Sequence, residues 1–278
     1  MSDTHHRGAL AERAARAGGV VARKEFRGDL AVETKANKND LVTQTDRNAQ
    51  EQVVATVREE FPSDPFLCEE AIVTRSGPET AEDPPKGIDT VPDSGPAWVI
   101  DPIDGTANFV RGRQTWTTSV AAVSDGETVG SATYLPAAGD LYAGGPDGAT
   151  RDGTALSVSD RADPETFAVV PVGWWDQDDR EAFGGLCSAI VERFGDMRRL
   201  GSFQATLAFI ADGGLDGAIC TKPTYPWDTL AGVHLIRRAG GTVTDLGGEP
   251  WAHDSAGLVA SNGEAHEELL AAAGATRR

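Results

Sequence analysis

The chain has 278 residues, 40% of them hydrophobic, and carries 43 acidic against 25 basic residues, for a formal net charge of −18 at pH 7. A chain this acidic repels nucleic acid and anionic membrane surfaces, which excludes a nucleic-acid-binding module. It contains no apolar run near the ~20 residues of a membrane span, and it begins without the apolar core of a signal peptide. We therefore expect a soluble, cytoplasmic protein with no membrane partner.

The types of charged residue and their distribution suggest a hypothesis about the habitat of the source organism. Acidic residues are spread along the whole chain, and only five of the 25 basic residues are lysine. An acidic, lysine-poor surface resembles the surfaces of proteins from salt-loving organisms, although such a surface also serves ordinary solubility.

Cysteine and histidine are too few and too scattered to indicate a zinc site. The three cysteines, Cys68, Cys187 and Cys220, are far apart and form no CxxC motif. An odd number of separated cysteines predicts reduced, buried thiols rather than a disulfide framework. The five histidines form no HExxH motif, so zinc chemistry is not expected.

Hydrophobic periodicity predicts two helices early in the chain, over residues 8–24 and 46–60. The apolar run Phe66-Leu67-Cys68 predicts a short strand that leads directly into Glu69-Glu70. Residues 75–96 hold five prolines and no periodicity, which predicts a solvent-exposed excursion.

Paired strands are predicted next. They cover residues 97–100, 116–123 and 128–135, and the turn signal Asp125-Gly126 joins the last two into a hairpin. The glycine-rich span 139–153 is predicted to form a further hairpin and the join between two halves of the molecule.

The second half alternates strands with helices. Strands are predicted over residues 167–172, 215–221 and 257–261, and helices over 177–194, 203–211, 228–239 and 264–273. Strands mixed with helices in both halves indicate an α+β to α/β protein without an internal repeat.

The most informative segment runs from Trp98 to Phe109, where an apolar stretch ends in Asp101 and Asp104 and then Gly105-Thr106. Two carboxylates this close repel each other unless a cation lies between them. Clustered oxygen ligands suit Mg²⁺ or Mn²⁺ better than Zn²⁺, and the N–H groups of Gly-Thr are of the kind that cradles a phosphate. A solvated acidic turn is the alternative, because Asp, Pro and Gly are common turn residues.

Two further acidic sites occupy comparable junctions. Glu69-Glu70 follows a short strand, and Asp228 stands where a loop enters a helix. Carboxylates at strand ends point out of the sheet edge, where α/β proteins place ligands. We therefore expect these acids to converge with Asp101 and Asp104. Taken alone, Asp228 is equally typical of a helix N-cap, and Glu69-Glu70 is equally typical of solvated charge.

Five segments in a fixed order resemble a known family. They are Asp40-Leu41-Val42-Thr43-Gln44-Thr45-Asp46, Cys68-Glu69-Glu70, Asp101-Pro102-Ile103-Asp104-Gly105-Thr106, Trp227-Asp228-Thr229-Leu230-Ala231-Gly232 and Ala239-Gly240-Gly241. Together they resemble the inositol monophosphatase family, part of the lithium-sensitive, Mg²⁺-dependent sugar phosphatase superfamily, over about residues 8–272. The resemblance implies the layered αβαβα sugar-phosphatase fold, similar to that of fructose-1,6-bisphosphatase, and a homodimer.

The resemblance also implies a metal centre with two or three Mg²⁺ ions, with Mn²⁺ as the alternative. Glu69, Asp101 and the backbone carbonyl of Ile103 would hold the first ion. Asp101, Asp104 and Asp228 would hold the second. We expect an N-terminal α+β subdomain (residues 1–145) to carry most of these ligands, and a C-terminal α/β subdomain (residues 146–278) to supply Asp228 and the substrate pocket.

Catalytic roles follow from the same resemblance. Glu69, with Asp46, would help to hold a weaker third ion. Thr106, backed by Asp46, would orient the attacking water. The backbone N–H groups of Gly105 and Thr106 would bind the phosphate, and Lys35 matches a lysine that the family places near the metals.

The residues that would contact the substrate depart from the family pattern. Thr221 replaces a substrate-binding glutamate seven residues before Asp228, and Phe203 stands where a small residue is usual. Thr221 weakens a polyol contact, and Lys222 would either meet a second anionic group or be exposed, while Asp104 and Asp228 would contact the substrate from the metal side. Other sugar monophosphates, fructose 1,6-bisphosphate and 3′-phosphoadenosine 5′-phosphate therefore stand beside inositol phosphate as substrates.

The expected function is hydrolysis of a small phosphorylated metabolite, a phosphate monoester, by a metal-activated water. Uncatalysed hydrolysis is very slow, so the rate must come from charge neutralisation and positioning, which divalent cations supply. Haloacid-dehalogenase-type phosphatases instead use an aspartate nucleophile in an Asp-x-Asp-Gly-Thr motif. Here two residues separate Asp101 from Asp104, which argues against that chemistry. A catalytically silent sensor of metal and sugar phosphate is the non-enzymatic alternative, and the intact acidic set favours the enzyme.

Overall fold

The computed structural model describes residues 3–28, 32–34, 41–72, 84–173, 175 and 178–275. Its helices are α1 (Asp3–Glu25), α2 (Gln44–Arg58), α3 (Thr106–Val110), α4 (Arg180–Arg193), α5 (Phe203–Ala211), α6 (Pro226–Arg238) and α7 (His266–Gly274). Its strands are β1 (Val32–Thr34), β2 (Leu41–Thr43), β3 (Phe66–Cys68), β4 (Pro96–Asp104), β5 (Thr117–Ser124), β6 (Glu127–Leu135), β7 (Asp140–Gly145), β8 (Gly148–Arg151), β9 (Thr154–Ala155), β10 (Ala168–Pro171), β11 (Asp196–Met197), β12 (Gly217–Cys220), β13 (Thr242–Thr244) and β14 (Leu258–Ser261).

Most of the strands form two mixed sheets. A seven-stranded sheet has the order β3-β4-β5-β6-β7-β8-β9, in which β3 and β4 are parallel and every other pair is antiparallel. A five-stranded sheet has the order β11-β10-β12-β14-β13 and is parallel only across β11, β10 and β12. Strands β1 and β2 pair separately as an antiparallel ribbon.

Helices cover both faces of each sheet and produce five layers. α1 and α2 pack on each other and on the seven-stranded sheet. α5 and α6 form a middle layer that contacts both sheets, and α4 and α7 cover the outer face of the five-stranded sheet. The order is therefore helices, sheet, helices, sheet, helices, which confirms the predicted layered αβαβα fold.

Strand β4 shows why the layers form. Trp98 and Ile100 belong to the hydrophobic cluster under α1 and α2, whereas Ala97 and Val99 belong to the cluster around α5 and α6. Successive side chains of a strand point to opposite faces, so a strand that is apolar at every position requires cover on both faces. The apolar run before Asp101 therefore encodes a central, doubly covered strand.

Several predicted boundaries are wrong. β4 does not end before the two acids but continues through Asp101 to Asp104. By contrast, α6 begins at Pro226, close to the predicted start near Asp228. The α4 helix begins at Arg180, three residues later than predicted. The hairpin turn at Asp125-Gly126 is confirmed, with positive φ angles of 51° and 81°, as a type I′ turn requires.

Some predictions fall on residues that the structure does not describe. Lys35 lies outside the described residues, as does the part of the excursion at residues 75–83. The division into two subdomains stays a prediction, and β7 and β8, which pair with each other, lie on either side of the expected boundary. Among the described helices, none is both long enough and apolar enough to cross a lipid bilayer.

Candidate active site

A β-bulge in β4 brings Asp101 and Asp104 together. Asp101 lies opposite Ser119 of β5 and Asp104 opposite Thr117, so three steps along β4 match two steps along its partner. In an unbroken strand, residues three apart would face opposite sides of the sheet. The extra residue of the bulge removes that alternation, and the two carboxylates can share one site.

Asp228 joins this pair from the middle helical layer. It occupies the third position of α6, after the N-cap Tyr225 and Pro226 at the first helical position. One carboxylate oxygen from each of Asp101, Asp104 and Asp228 lies within 4.8 Å of the others. Asp228 is therefore not the N-cap of α6, and the three acids predicted to converge do so.

Glu69 and Glu70 lie in different surroundings at the end of β3. The amide N–H of Glu69 donates to the carbonyl of Ile100 on β4 (3.1 Å), and Glu69 lines the same cavity as the three aspartates. Glu70 is buried, and its backbone is held on both sides by the Gln50 side chain, at 3.0 Å to its N–H and 2.7 Å to its carbonyl. Only the first glutamate of the pair therefore lines the cavity.

The electrostatics around Asp101 would favour a bound cation. Its side chain is almost completely buried, and burial, together with the carboxylates of Glu69, Asp104 and Asp228, raises its pKa well above the ordinary value. Asp101 Oδ1 has no hydrogen-bond partner among the described residues, and no described lysine or arginine forms an ion pair with Asp101 or Asp104.

This donor set fits a hard divalent cation. All side-chain ligands are carboxylate oxygens, two of them are buried, and one buried oxygen lacks a partner. Buried polar atoms are costly unless they are paired or coordinate a metal, and clusters of oxygen ligands are typical of Mg²⁺ and Mn²⁺. The site therefore fits the predicted cofactor class.

Asp104 differs from Asp101 because the start of α5 stabilises its charge. Its oxygens accept hydrogen bonds from the Ser202 hydroxyl and from the backbone N–H groups of Phe203 (3.0 Å) and Gln204 (2.7 Å). Burial raises the pKa of Asp104, and these hydrogen bonds oppose that rise. The start of α5 therefore favours the ionised form of Asp104 and holds its side chain in one orientation.

Asp46 and Thr106 meet although 60 residues separate them in sequence. Asp46 is fully buried in the capping box of α2, where Oδ2 accepts from the N–H (2.9 Å) and hydroxyl (2.6 Å) of Thr43. The hydroxyl of Thr106 has acceptors at Asp46 Oδ1 (3.3 Å) and at the carbonyl of Ile103 (3.0 Å). A hydroxyl has only one proton to donate, so this oxygen keeps lone pairs that can accept a hydrogen bond from a third group.

Gly105 requires glycine for two reasons. Its φ is +89°, a conformation that other residues rarely adopt. A Cβ at this position would lie 3.1 Å from the carbonyl oxygen of Gly201 and 3.1 Å from Cβ of Ser202. The loop that precedes α5 therefore packs directly against the turn between the acids and Thr106.

The predicted substrate contacts line the same cavity, whose volume is about 520 Å³. Phe203, Thr221 and Lys222 all contribute to its wall, as do Ile103, Gly105 and Thr106. Lys222 Nζ is paired with the carboxylate of Asp179, the N-cap of α4. The sequence predicted that Lys222 would either bind a second anionic group of the substrate or be exposed. In the structure it instead pairs with an acidic residue of the chain itself.

Sequence reasoning missed several residues of the cavity wall. They are Asp179, Phe183, Arg199 and Tyr225, and each comes from a segment to which no chemistry had been assigned. For Tyr225 a signal was available, because it precedes Pro226, Trp227 and Asp228 in one short motif.

Comparison with known proteins shows which family the chain resembles. The family model for the inositol monophosphatase family matches residues 3–277. The inositol-1-monophosphatase ImpA of Mycolicibacterium smegmatis is 36% identical over 191 residues, which cover 64% of this chain and 66% of that protein. The fructose-1,6-bisphosphatase/inositol-1-monophosphatase of Thermotoga maritima is 31% identical over 219 residues, 78% of this chain and 76% of that protein.

Comparison with solved structures supports the same assignment. The structure of the Thermotoga maritima IMPase superimposes with a TM-score of 0.84 and 28% identity over 98% of both chains. The match to the family model and to phosphatase relatives, on a chain with five layers around a carboxylate cluster, indicates a phosphoric monoester hydrolase. The chain belongs to the inositol monophosphatase family.

Proposed function

We propose that the chain hydrolyses a small phosphate monoester, an inositol or sugar phosphate, in the cavity above Asp101, with two or three Mg²⁺ ions as cofactor. The observation that carries the proposal is the convergence of Asp101, Asp104 and Asp228 around an oxygen without a partner among the described residues. Such a cluster is unfavourable in the protein alone and favourable around a divalent cation.

The residues that would hold the ions fall into two overlapping sets. Glu69, Asp101 and the carbonyl of Ile103 form one set, and Asp101, Asp104 and Asp228 form the other; Glu69 with Asp46 would serve a weaker third ion. When bound, the cations neutralise the phosphate and lower the pKa of a coordinated water.

Thr106 and Asp46 position the attacking water. The Thr106 hydroxyl can donate to Asp46 Oδ1, whose other oxygen is fixed by Thr43. In that arrangement its lone pairs would accept a hydrogen bond from the attacking water, and as the water gives its proton to the Thr106 oxygen, the hydroxyl proton would pass to Asp46 Oδ1. A general base must lie within hydrogen-bond reach of the proton it takes, and the buried Asp46 provides the negative charge that favours this transfer. Gly105 and Thr106 present their backbone N–H groups to the phosphate oxygens.

The nucleophile in this proposal is water, not aspartate. Asp104 is surrounded by three donors at the start of α5, and a carboxylate stabilised in this way is a poor nucleophile. Acid quench of the enzyme during turnover of a ³²P-labelled ester tests this point. No label should stay on the protein, and a phosphoaspartate would contradict the proposal.

A catalytically silent sensor of metal and sugar phosphate is the competing function. The experiment that separates the two is release of inorganic phosphate from a panel of esters, including inositol 1-phosphate and fructose 1,6-bisphosphate, with and without Mg²⁺. Turnover that depends on Mg²⁺ supports the enzyme. Binding of phosphate esters without turnover in any ion would support the sensor.

Three finer properties complete the proposal. The chain acts as a homodimer in the cytoplasm, and its acidic, lysine-poor composition suits a salt-rich interior. Light scattering after gel filtration tests the dimer. Activity measured against KCl tests the salt hypothesis, which an optimum near zero salt would contradict.

A further inference from the structure

Two stacked aromatic pairs stand where the cavity meets solvent. Tyr225 lies on Trp227 with ring centroids 4.8 Å apart and planes at 6°, and Trp175 lies on Phe183 at 4.5 Å and 30°. Tyr225, Trp227 and Phe183 line the cavity. Tyr225 is nevertheless 62% exposed, so one of its ring faces is free to accept a partner. Exposed aromatic surface at a cavity is a common sign of a binding site.

The Tyr225–Trp227 pair, which we call the aromatic platform, is held rigidly. Trp227 packs against the main hydrophobic cluster, and its carbonyl accepts from the Gln204 side chain at 2.6 Å. The intervening Pro226 fixes φ at the first position of α6. The carbonyl of Tyr225 accepts from the N–H of Asp228 (3.1 Å) and the hydroxyl of Thr229 (3.1 Å). A platform that is ordered in advance binds a ring without a further loss of conformational entropy.

The platform is close to the acids. Tyr225 is the N-cap of α6 and Asp228 is its third residue. The N–H of Asp228 donates to the carbonyl of Tyr225 (3.1 Å), and both residues line the same cavity. A substrate whose phosphate lies at the acidic cluster would therefore place the group esterified to that phosphate against Tyr225.

The charged groups near the platform already have partners within the chain. Each hydroxyl of a bound polyol needs a partner once it leaves water. The carboxylate of Asp179 is engaged by Lys222. Thr221 and Thr224 also line the cavity, and Thr224 Oγ1 is buried without a partner among the described residues. The opposite wall is Phe183, over which the Arg199 guanidinium lies at 5.3 Å from the ring centroid. This part of the cavity therefore combines flat apolar faces with two threonine hydroxyls.

We propose that the alcohol esterified in the substrate carries a planar aromatic or heteroaromatic ring, which stacks on the aromatic platform. The inference rests on the proposed hydrolysis of a small phosphate monoester, and it replaces inositol with an alcohol that carries a flat ring. Stacking of this kind changes affinity by about tenfold.

A matched pair of substrates isolates the ring. Benzyl phosphate and cyclohexylmethyl phosphate are similar in size and apolar, and differ in whether the ring is flat. We expect kcat/KM with Mg²⁺ to be about tenfold higher for benzyl phosphate. The corresponding phosphonates cannot be hydrolysed, and calorimetry with them measures the same preference as a ratio of dissociation constants without turnover.

Variants of Tyr225 assign the preference to the platform. Tyr225→Leu should bring both ratios close to one, whereas Tyr225→Phe, which keeps the flat ring, should keep them. Val191→Ser is the control, because Val191 is 64% exposed on α4 and does not line the cavity; it should leave the ratios unchanged. Circular dichroism establishes that each variant is folded.

Natural ring systems then identify the source of the ring. Adenosine 5′-monophosphate represents nucleosides and 2-(imidazol-4-yl)ethyl phosphate represents short heteroaryl alcohols, and preference for either over inositol 1-phosphate supports the inference. A ratio near one in the unmodified protein, a ratio unaffected by Tyr225→Leu, or preference for inositol 1-phosphate would overturn it. If no ester released phosphate with Mg²⁺, the proposed function would fail, and the phosphonate affinities would still decide this inference.

Discussion

Two buried aspartates beside strand β4 balance their charge in different ways. Asp64 lies against Trp98, whose indole N–H donates to Oδ2 at 2.9 Å, and the guanidinium of Arg7 donates to the same oxygen at 2.6 Å. Asp101 lies on β4, three residues after Trp98. It has other carboxylates around it, and one of its buried oxygens has no partner among the described residues. One acid has its counter-charge in the chain, and for the other we propose a cation from solution.

This difference separates structure from function. Arg7 is buried between Asp64 and the ring of Phe61, 4.1 Å from its centroid, so the ion pair joins α1 to the loop before β3. Breaking one partner of a buried pair leaves an uncompensated charge, which destabilises the fold. Removing a carboxylate from the acidic cluster has the opposite effect on the protein alone, because it relieves repulsion and burial.

The largest expected effect is on catalysis by Asp101→Asn. Asp101 belongs to both proposed ligand sets, so its loss should lower kcat/KM by at least about 10³-fold. The metal-free variant should unfold at the same urea concentration as the parent or a higher one. Asp64→Asn is the matched control, a buried aspartate on the same strand's flank, and should change kcat by less than about threefold at low temperature. Full activity of Asp101→Asn would overturn the site.

The second effect is on stability and reverses the roles of the two acids. Asp64→Asn should lower the free energy of unfolding by about 3 kcal/mol, because Arg7 stays buried without its main partner. Urea unfolding followed by fluorescence measures this. Glu33→Gln, which removes an exposed ion pair with Arg47 (2.8 Å), should cost no more than about 0.5 kcal/mol. Equal effects of the two substitutions would contradict the structural role of the buried pair.

The third effect is the stabilisation that the cation provides. Mg²⁺ at 100 times its dissociation constant should add about 2.7 kcal/mol to the free energy of unfolding, or roughly 5–10 °C in Tm. Differential scanning calorimetry with Mg²⁺ and with EDTA measures the shift. The shift should persist in Asp64→Asn and vanish in Asp101→Asn; its persistence in the second variant would place the ions elsewhere.

The comparison also shows what sequence can and cannot predict. Asp101, Asp104 and Asp228 were predictable as a cluster because each stands at a recognisable junction and because the motifs resemble one family. The bulge between Asp101 and Asp104 was not, since it depends on how β4 pairs with β5. The partners of Asp64 were not predictable either, because Arg7 precedes it by 57 residues and Trp98 follows it by 34.

Long-range hydrogen bonds limited what the sequence could predict about the site in the same way. The contact between Asp46 and Thr106 followed only from the family resemblance, since neither periodicity nor spacing connects α2 with the turn after β4. Lys222 was recognised as a cavity residue, but its pairing with Asp179 depends on where α4 begins. Local signals therefore identify candidate residues, while packing decides which partner each one finds.

His234 gives the smallest expected effect and extends the comparison to a buried base. It lies on α6, and its Nε2 is buried without a partner among the described residues. Burial, followed by the charges of Arg238 and Arg237, lowers its pKa to about 4. His234 is therefore protonated near pH 6.5 in the unfolded chain but only near pH 4 in the folded chain. By linkage, stability is lost as the pH falls through this window, by about 2 kcal/mol between pH 7 and pH 5.

Substitution of His234 isolates that contribution. His234→Leu keeps an apolar side chain of similar size and cannot titrate, so its free energy of unfolding should fall less steeply from pH 7 to pH 5 than that of the parent, by about 2 kcal/mol. Urea unfolding at both pH values measures the difference. Parallel pH profiles would mean that His234 finds a counter-charge in the folded protein, as Arg7 does. A widening gap would mean that a buried base without a partner stays neutral, whereas the acids of the cavity, held together in one cluster, bind a cation.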